Sequence, residues 1–208
     1  QEKRDLIYHQ IDSISGEAAK YAVANEYDKM ISSLGAKGTN AYTSLERTVY
    51  INDIPSNELE KWLSIESERF SQLVLRLFHT ELETVYEEFN RAQDNDARLS
   101  WYTLMANLFK KHPYKEPIIG SIEHLDAAES EDFINFNAKF YTTRNAVFTV
   151  AGDIDIDETR GMIDYYFSAI PDKPKPEKVF PVEPDITQET RVQEYDPNIQ
   201  IPAILLNY

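Results

Sequence analysis

The chain opens with apolar positions at helical spacing, changes to strand-like alternation and then returns to helical spacing. Helix is predicted over 2–33, with a break allowed at Gly16, and glycine and asparagine residues then mark a turn. The segments "NAYTS" (40–44) and "RTVYINDI" (47–54) are rich in β-branched and aromatic residues, and they predict a pair of strands. A capped amphipathic helix is expected over 56–70.

The remainder of the pattern is mainly helical. Thr80 is placed to cap a helix, and further helices are predicted over 97–109, 129–141 and 156–168, the second of these with its phenylalanines toward a core. The segment "NAVFTVAGD" (145–153) has the profile of a buried strand. The elements together predict an α+β fold in which a mostly antiparallel sheet is layered against several helices.

Proline marks a boundary late in the chain. The stretch "PDKPKPEKVFPVEP" contains five of the ten prolines, which is the composition of a stiff linker. We therefore predict a first domain over 1–172, a linker over 173–186 and the start of a second, similar domain over 187–208. The strand-like segments "ETRVQEY" and "PAILLNY" belong to this second part. Because the chain begins at Gln1 and inside helical sequence, we expect a segment of a longer, N-terminally truncated protein.

The charge and the cysteine content restrict which partners and which metal ligands are possible. The net charge is -15, from 36 acidic and 21 basic residues, which disfavours nucleic acid and anionic membranes because both would repel the chain. A peptide or a cation suits it better. There is no cysteine, so any metal must be held by histidine or carboxylate ligands. No window is long and apolar enough to predict a membrane span in this segment.

The segment "ELETVYEE" (81–88) concentrates glutamates on one predicted helix. A helical projection places Glu81 and Glu88 at one edge of the apolar stripe, two turns apart, whereas Glu83 and Glu87 project toward water. Carboxylates beside a core are the ones for which desolvation and a partner cation matter. The spacing alone is weak evidence, because such pairs arise by chance in an acidic chain.

Other catalytic arrangements are not supported by the residues. The four histidines are isolated, none forms the i, i+4 pair of a zinc helix, and a structural role is favoured for each of them: His9, His79, His112 and His124. The sequence supports neither a Ser/His/Asp triad nor a phosphate-binding glycine loop. The acidic helix is therefore the main candidate for chemistry.

Several motifs occur in an order that matches one known family. "EYDKMISSLGAKGTNAYTS", "RTVYINDI", "ELETVYEEFNRAQDND", "HPYKEPIIG" and "FYTTRNAVFTVAGDID" together resemble the insulinase/pitrilysin family of inverted zinc peptidases, over about residues 26–170. The resemblance implies a metallopeptidase (LuxS/insulinase-like) domain, one zinc ion in the full-length protein and hydrolysis of peptides or small unfolded proteins. In that family a helix with H-x-x-E-H supplies two zinc ligands and the general base.

Carried onto this chain, the resemblance makes Glu88 the third zinc ligand and Glu81 the supporting acidic residue of the catalytic site. H-x-x-E-H does not occur in these residues, and the resemblance places it before the "EYDKM" region. We therefore expect the motif upstream of Gln1. Because one carboxylate cannot hold zinc in tetrahedral geometry, the segment alone is predicted to bind zinc weakly and to be inactive.

The "NAYTS" strand is the second predicted site. The resemblance implies that Asn40, Ala41 and Tyr42 lie at a sheet edge, where an extended peptide adds itself through main-chain hydrogen bonds. The alternative is an ordinary hairpin strand whose edge is covered. His112 and Tyr114 could line the same cleft, although a structural turn is the favoured role for them.

The predicted function is thus part of a zinc metallopeptidase, with a non-catalytic structural or partner-binding subunit of the same fold as the alternative. Retention of both Glu81 and Glu88 favours the enzyme. The predicted partners are a peptide substrate, the remaining domains of the same chain and further copies or subunits in an oligomer. The compartment stays open, with a periplasmic location favoured by the absence of cysteine and by what similar bacterial proteins do.

Overall fold

A computed structural model describes residues 2–23, 25–75, 77–195 and 204–206. Its contacts divide the chain into two compact units, each made of two segments. Unit 1 comprises 1–79 and 129–177, and unit 2 comprises 80–128 and 178–208.

Helices account for most of the regular structure. In chain order they are α1 Glu2–Ala19, α2 Glu26–Ser33, α3 Leu59–Ser71, α4 Phe78–Gln93, α5 Asp96–Leu108, α6 Ile122–Ala127, α7 Ser130–Phe140 and α8 Ile156–Phe167. The helices predicted over 56–70, 97–109, 129–141 and 156–168 are confirmed within a few residues as α3, α5, α7 and α8. The helix α4 begins at Phe78, before the predicted cap at Thr80.

The first predicted helix is divided differently from the expectation. The helix α1 continues through Gly16 and ends at Ala19, and the chain turns before α2 starts at Glu26. A single glycine costs a helix only about 1 kcal/mol, which neighbouring turns can offset. Asn25 precedes α2 in the left-handed region, with φ of 54°, a conformation that asparagine adopts more readily than most residues.

The two predicted strands form a hairpin. Strand β1 (Lys37–Thr43) pairs antiparallel with β2 (Thr48–Asp53), and its ladder is irregular between Lys37 and Asn40. Gly38 lies within that irregularity at φ of 62°, which a glycine reaches without strain. These two strands make the whole sheet in the described part of the chain.

The strand predicted at 145–153 is wrong. Thr143–Asn145 form a 3-10 turn, Ala146 after it is extended, and residues 147–153 belong to no helix or ladder among the described residues. Val147 is 93% exposed. A strand needs a neighbour to satisfy its backbone groups, and no described segment supplies one here. Residues 189–195 are likewise not a strand, and most of 202–208 lies outside the described residues.

In unit 1 the core forms around α3. Ile31, Leu59 and Leu63 are buried, and α3 packs against α8. Phe148 joins them through ring contacts with α3 and α8, at 5.6 Å from Trp62 and 5.0 Å from Phe167. The helix α7 is less covered than its pattern predicts, since Phe136 is 55% exposed. The unit is helical with a small antiparallel sheet, so the predicted α+β class is confirmed.

In unit 2 the starts of α5 and α6 are fixed by local caps. The Asn95 side chain accepts a hydrogen bond from the Arg98 N–H at 2.9 Å and begins α5. Ser121 begins α6 by accepting from the N–H of His124. Among the described residues of this unit, the buried apolar ones are Ala92, Met105 and Leu125.

Candidate functional site

Strand β1 presents backbone groups on the side away from β2. The Ser44 N–H donates to the Arg47 carbonyl at 2.8 Å and closes the hairpin. In an antiparallel ladder, hydrogen-bonded and non-bonded pairs alternate from that point. Tyr42 and Asn40 therefore direct their backbone groups toward β2, whereas Thr43 and Ala41 direct theirs outward. No other strand pairs with β1 in the ranges that the structure describes.

Asn40 satisfies one of these outward groups with its own side chain. Its Oδ1 atom accepts a hydrogen bond from the Ala41 N–H at 2.9 Å. The side chain of Tyr42 is 41% exposed on the opposite face of the sheet from Ala41. The three predicted substrate-binding residues thus lie together on one strand, as an exposed edge with a small residue at its centre.

A cavity of about 180 Å³ lies against the Ala41 face of the hairpin. Exposed residues form its rim and half-buried residues its floor. The lining consists of Tyr27, Asp28, Thr39, Asn40, Ala41, Tyr50, Asn52 and Arg69.

A buried carboxylate lies behind this cavity. Glu66 is only 2% exposed, and it accepts hydrogen bonds from the Tyr27 hydroxyl and, at 3.3 Å, from Arg69 Nη1. Asn52 Nδ2 donates to the oxygen of the same phenol at 2.9 Å. Burial, together with the hydrogen bond to Glu66, raises the pKa of Tyr27 to about 12, so this phenol keeps its proton at neutral pH.

Arg69 also contacts the aromatic rings of the floor. Its guanidinium carbon lies 4.2 Å from the centre of the Tyr27 ring and 4.6 Å from that of Tyr50. The hydroxyls of Tyr50 and Tyr141 are hydrogen-bonded at 2.8 Å. Burial, and to a smaller extent this hydrogen bond, raises the pKa of Tyr50. The floor is therefore a fixed set of neutral phenols around one ion pair.

The sequence pattern did not single out this cluster, although a signal was present. Leu59, Leu63 and Glu66 follow one another at helical spacing on α3, and all three are buried. A glutamate in register with core leucines needs a partner, because an unpaired buried carboxylate is very costly. Arg69, one turn further, is the partner that this spacing offers.

The predicted metal and catalytic residues lie on α4. Its apolar stripe is half-buried as expected, but Glu81 and Glu88 are exposed, as are Glu83 and Glu87. Exposure therefore does not separate the two pairs as the helical projection predicted. Glu81 and Glu88 belong to unit 2, and the β1 residues belong to unit 1.

A zinc site is not complete within the described residues. No group of three or more histidine, aspartate or glutamate side chains in this part of the chain is arranged to hold a metal ion. Catalytic zinc takes three protein ligands, and an exposed carboxylate such as Glu88 fits the role of only one of them. The described residues alone do not fit a resident zinc ion.

His112 has a structural role in the turn that contains it. Its Nδ1 atom accepts a hydrogen bond from the Tyr114 N–H at 3.2 Å, and the two rings lie 4.0 Å apart. His124 likewise accepts from the Ser121 N–H at 3.3 Å. Both contacts agree with the structural interpretation of these histidines.

The exposed edge of β1 and the acidic helix α4 both lie in a region of the chain that matches a known family of peptidases. Residues 13–122 match the family model described as "Insulinase (Peptidase family M16)", and residues 127–208 match "Peptidase M16 inactive domain". The chain belongs to the insulinase family of peptidases. The resemblance inferred from the motifs is thereby confirmed.

Relatives and solved structures agree with this family. An uncharacterized zinc protease of Rickettsia bellii is 26% identical over 166 residues, which is 79% of this chain and 40% of the relative. A protease from Helicobacter pylori has a TM-score of 0.67 at 26% identity, over 78% of this chain and 39% of that one. The periplasmic protease PqqL of Escherichia coli gives a TM-score of 0.67 at 25% identity, over 76% and 19%.

The chain spans 40% or less of the length of these relatives. None of its described helices is both long enough and apolar enough to cross a bilayer.

Proposed function

We propose that this chain is part of a zinc-dependent metalloendopeptidase that hydrolyses peptides or small unfolded proteins. The observation that carries the proposal is the exposed edge of β1, with outward backbone groups at Ala41 and Thr43, inside the region matched by the insulinase family model. Relatives over the same region are named zinc proteases. Main-chain pairing along a strand edge suits a peptidase, because it accepts peptides of many sequences.

The peptide would add to β1 as a further strand. Its carbonyl would take the Ala41 N–H from the Asn40 side chain, and its own N–H groups would donate to the outward carbonyls of β1. Ala41 permits close approach because its side chain is small, and Tyr42 offers an exposed ring to a substrate side chain. The cavity on the Ala41 face would receive a side chain of the bound peptide.

In this proposal Glu88 supplies one zinc ligand, and Glu81, two turns earlier on the same edge of α4, supports it. The remaining ligands, including an H-x-x-E-H motif, would come from residues of the longer protein. Zinc, when bound, would polarise the scissile carbonyl and activate a water molecule. The chain by itself contributes the strand edge, the cavity and these two carboxylates.

The full-length protein that contains this chain tests the assignment of Glu88. In Glu88→Ala we expect the zinc content per molecule, measured by atomic absorption after dialysis, to fall at least tenfold, with loss of peptide hydrolysis. Glu87→Ala is the matched control, because Glu87 is the neighbouring exposed glutamate on the same helix. Equal zinc content in both variants would refute the assignment.

The second candidate is a non-catalytic structural or partner-binding subunit of the same fold. The match of residues 127–208 to a model described as an inactive domain favours it, as does the exposure of all four α4 glutamates. A full-length protein that carries no zinc but still binds extended peptides or a partner chain would establish this alternative. The proposed domain limits of 1–172, 173–186 and 187–208 apply to either function.

A further inference from the structure

Three consecutive backbone N–H groups in unit 2 converge on one carboxylate. The Lys110 N–H donates to Glu183 Oε2 at 2.8 Å, and the Lys111 N–H donates to Oε1 at 2.8 Å. The His112 N–H donates to the same Oε1 atom. Glu183 lies more than seventy positions further along the chain, so these bonds join two distant segments of the unit.

The end of α5 explains why these three donors are available. The Phe109 N–H makes the last bond of the helix, to the Met105 carbonyl at 3.0 Å. Phe109 itself is extended and residues 110–112 bend away from the helix, so the next three N–H groups have no helical carbonyl in reach, and Pro113 has no N–H. Successive N–H groups that point into one concavity form an anion-binding arrangement called a nest.

The nest is held in shape by the aromatic turn that follows it. His112 Nδ1 accepts a hydrogen bond from the Tyr114 N–H. The centre of the His112 ring lies 4.0 Å from that of Tyr114 and 5.7 Å from that of Phe109. A preformed set of donors binds an anion without a further ordering cost. The two lysines add positive charge to the chain at this point.

Glu183 is suited to fill this nest. It lies between Pro181 and Pro184, whose fixed φ angles restrict the segment before any contact forms. Both carboxylate oxygens are used, and the side chain is half-buried. Desolvation would raise the pKa of the Glu183 carboxyl, but the three backbone N–H bonds together hold it below its ordinary value.

We propose that residues 110–112 form a carboxylate-binding site whose resident ligand is Glu183. This contact, called the joint below, fastens the end of the proline-rich stretch to the chain just after α5. A second contact follows the same course, since the Thr103 hydroxyl donates to Glu194 at 3.5 Å. The two contacts together hold Glu183 and Glu194 against α5 and the turn after it. This proposal is independent of peptidase activity, because no step of it involves substrate or metal.

Amide hydrogen exchange in the full-length protein tests the joint directly. In Glu183→Ala we expect the amides of residues 110–112 to exchange roughly tenfold faster or more, since each loses a bond to a charged acceptor. In Glu183→Gln the side-chain amide keeps one oxygen acceptor and loses the other. Exchange should therefore rise either at Lys110 or at Lys111 and His112, but not at all three residues. Residues 185–195 should also exchange faster in both variants.

Glu177→Gln is the matched control, because Glu177 is an exposed carboxylate in the same proline-rich stretch. It should leave all of these exchange rates unchanged. If the amides of 110–112 in Glu183→Ala exchange at the wild-type rate, the proposal is wrong. Should the alanine variant fail to fold, Glu183→Gln decides: wild-type rates in that variant would equally overturn it, because a carboxylate would then not be required.

Discussion

The Tyr27 hydroxyl donates a hydrogen bond to the carboxylate of Glu66 across 39 positions of sequence, and so ties α2 to α3 beside the hairpin. Glu66 is the most buried charged residue described in the chain, and Arg69 forms an ion pair with it. The cavity next to β1 therefore has a floor whose geometry depends on one ion pair and one phenol. This dependence can be tested without knowledge of the substrate.

Replacing the buried carboxylate of Glu66 should lower the free energy of unfolding. In Glu66→Ala, Arg69 loses its counter-ion and the Tyr27 hydroxyl loses its acceptor. Breaking a fully buried pair costs about 3–5 kcal/mol, and because Arg69 is partly exposed we expect about 2–4 kcal/mol in a urea unfolding curve. Glu68→Ala, at an exposed site on the same helix, should change stability by no more than about 0.5 kcal/mol. Equal losses in the two variants would contradict the assigned role of Glu66.

The raised pKa of Tyr27 predicts a loss of stability in alkali. Unfolded tyrosine ionises near pH 10 and folded Tyr27 near pH 12, so the folded state holds this proton more tightly. The contribution of Tyr27 is complete below about pH 10 and is lost as the pH rises toward about 12. Tyr27→Phe should flatten the decline in stability over that window and remove one late-titrating phenol from the absorbance curve. A variant curve that overlays the wild type would argue against the shift.

The alternation along β1 predicts opposite effects of proline at two neighbouring positions. Ala41→Pro removes an N–H that points away from β2, so the hairpin should persist while binding of extended peptides weakens about tenfold. Tyr42→Pro removes an N–H that points toward β2, and the hairpin itself should be lost. Circular dichroism measures the fold, and fluorescence anisotropy of a labelled peptide measures binding. Undiminished peptide binding by Ala41→Pro would exclude this edge as the binding site.

The isolated chain should bind zinc poorly. The described residues contain no arrangement of three metal-ligating side chains, and a lone carboxylate does not compete with water for zinc. We expect calorimetric titration of the 208-residue chain with zinc chloride to show no binding tighter than micromolar. A submicromolar site that Glu88→Ala abolishes would mean that this chain holds zinc by itself.

The hairpin and most helices could be predicted because their signals are local. The "NAYTS" and "RTVYINDI" segments carry β-branched and aromatic residues on both sides of a short turn, and α3, α5, α7 and α8 follow helical spacing. The strand expected at 145–153 failed because a ladder depends on a partner segment, which periodicity does not reveal. The start of α4 was misplaced because a capping-box spacing at Thr80 says nothing about the turn before it.

The candidate site likewise has one part that could be predicted from the sequence and one part that could not. Asn40, Ala41 and Tyr42 could be named from the resemblance and from strand periodicity. The floor beneath them could not, because Tyr27, Asn52 and Arg69 come from three elements and meet only through tertiary packing. Glu66 is the exception, since its register with Leu59 and Leu63 was visible in the sequence.

The hydrogen bond between the Asn40 side chain and the Ala41 N–H also bears on solubility. An open strand edge invites pairing with the edges of other molecules, which is the first step of many forms of aggregation. Here a passing strand must first displace a side chain that is covalently next to the donor and always present. This one donor is thereby guarded against adventitious strand pairing, while a tightly bound peptide can still displace the side chain.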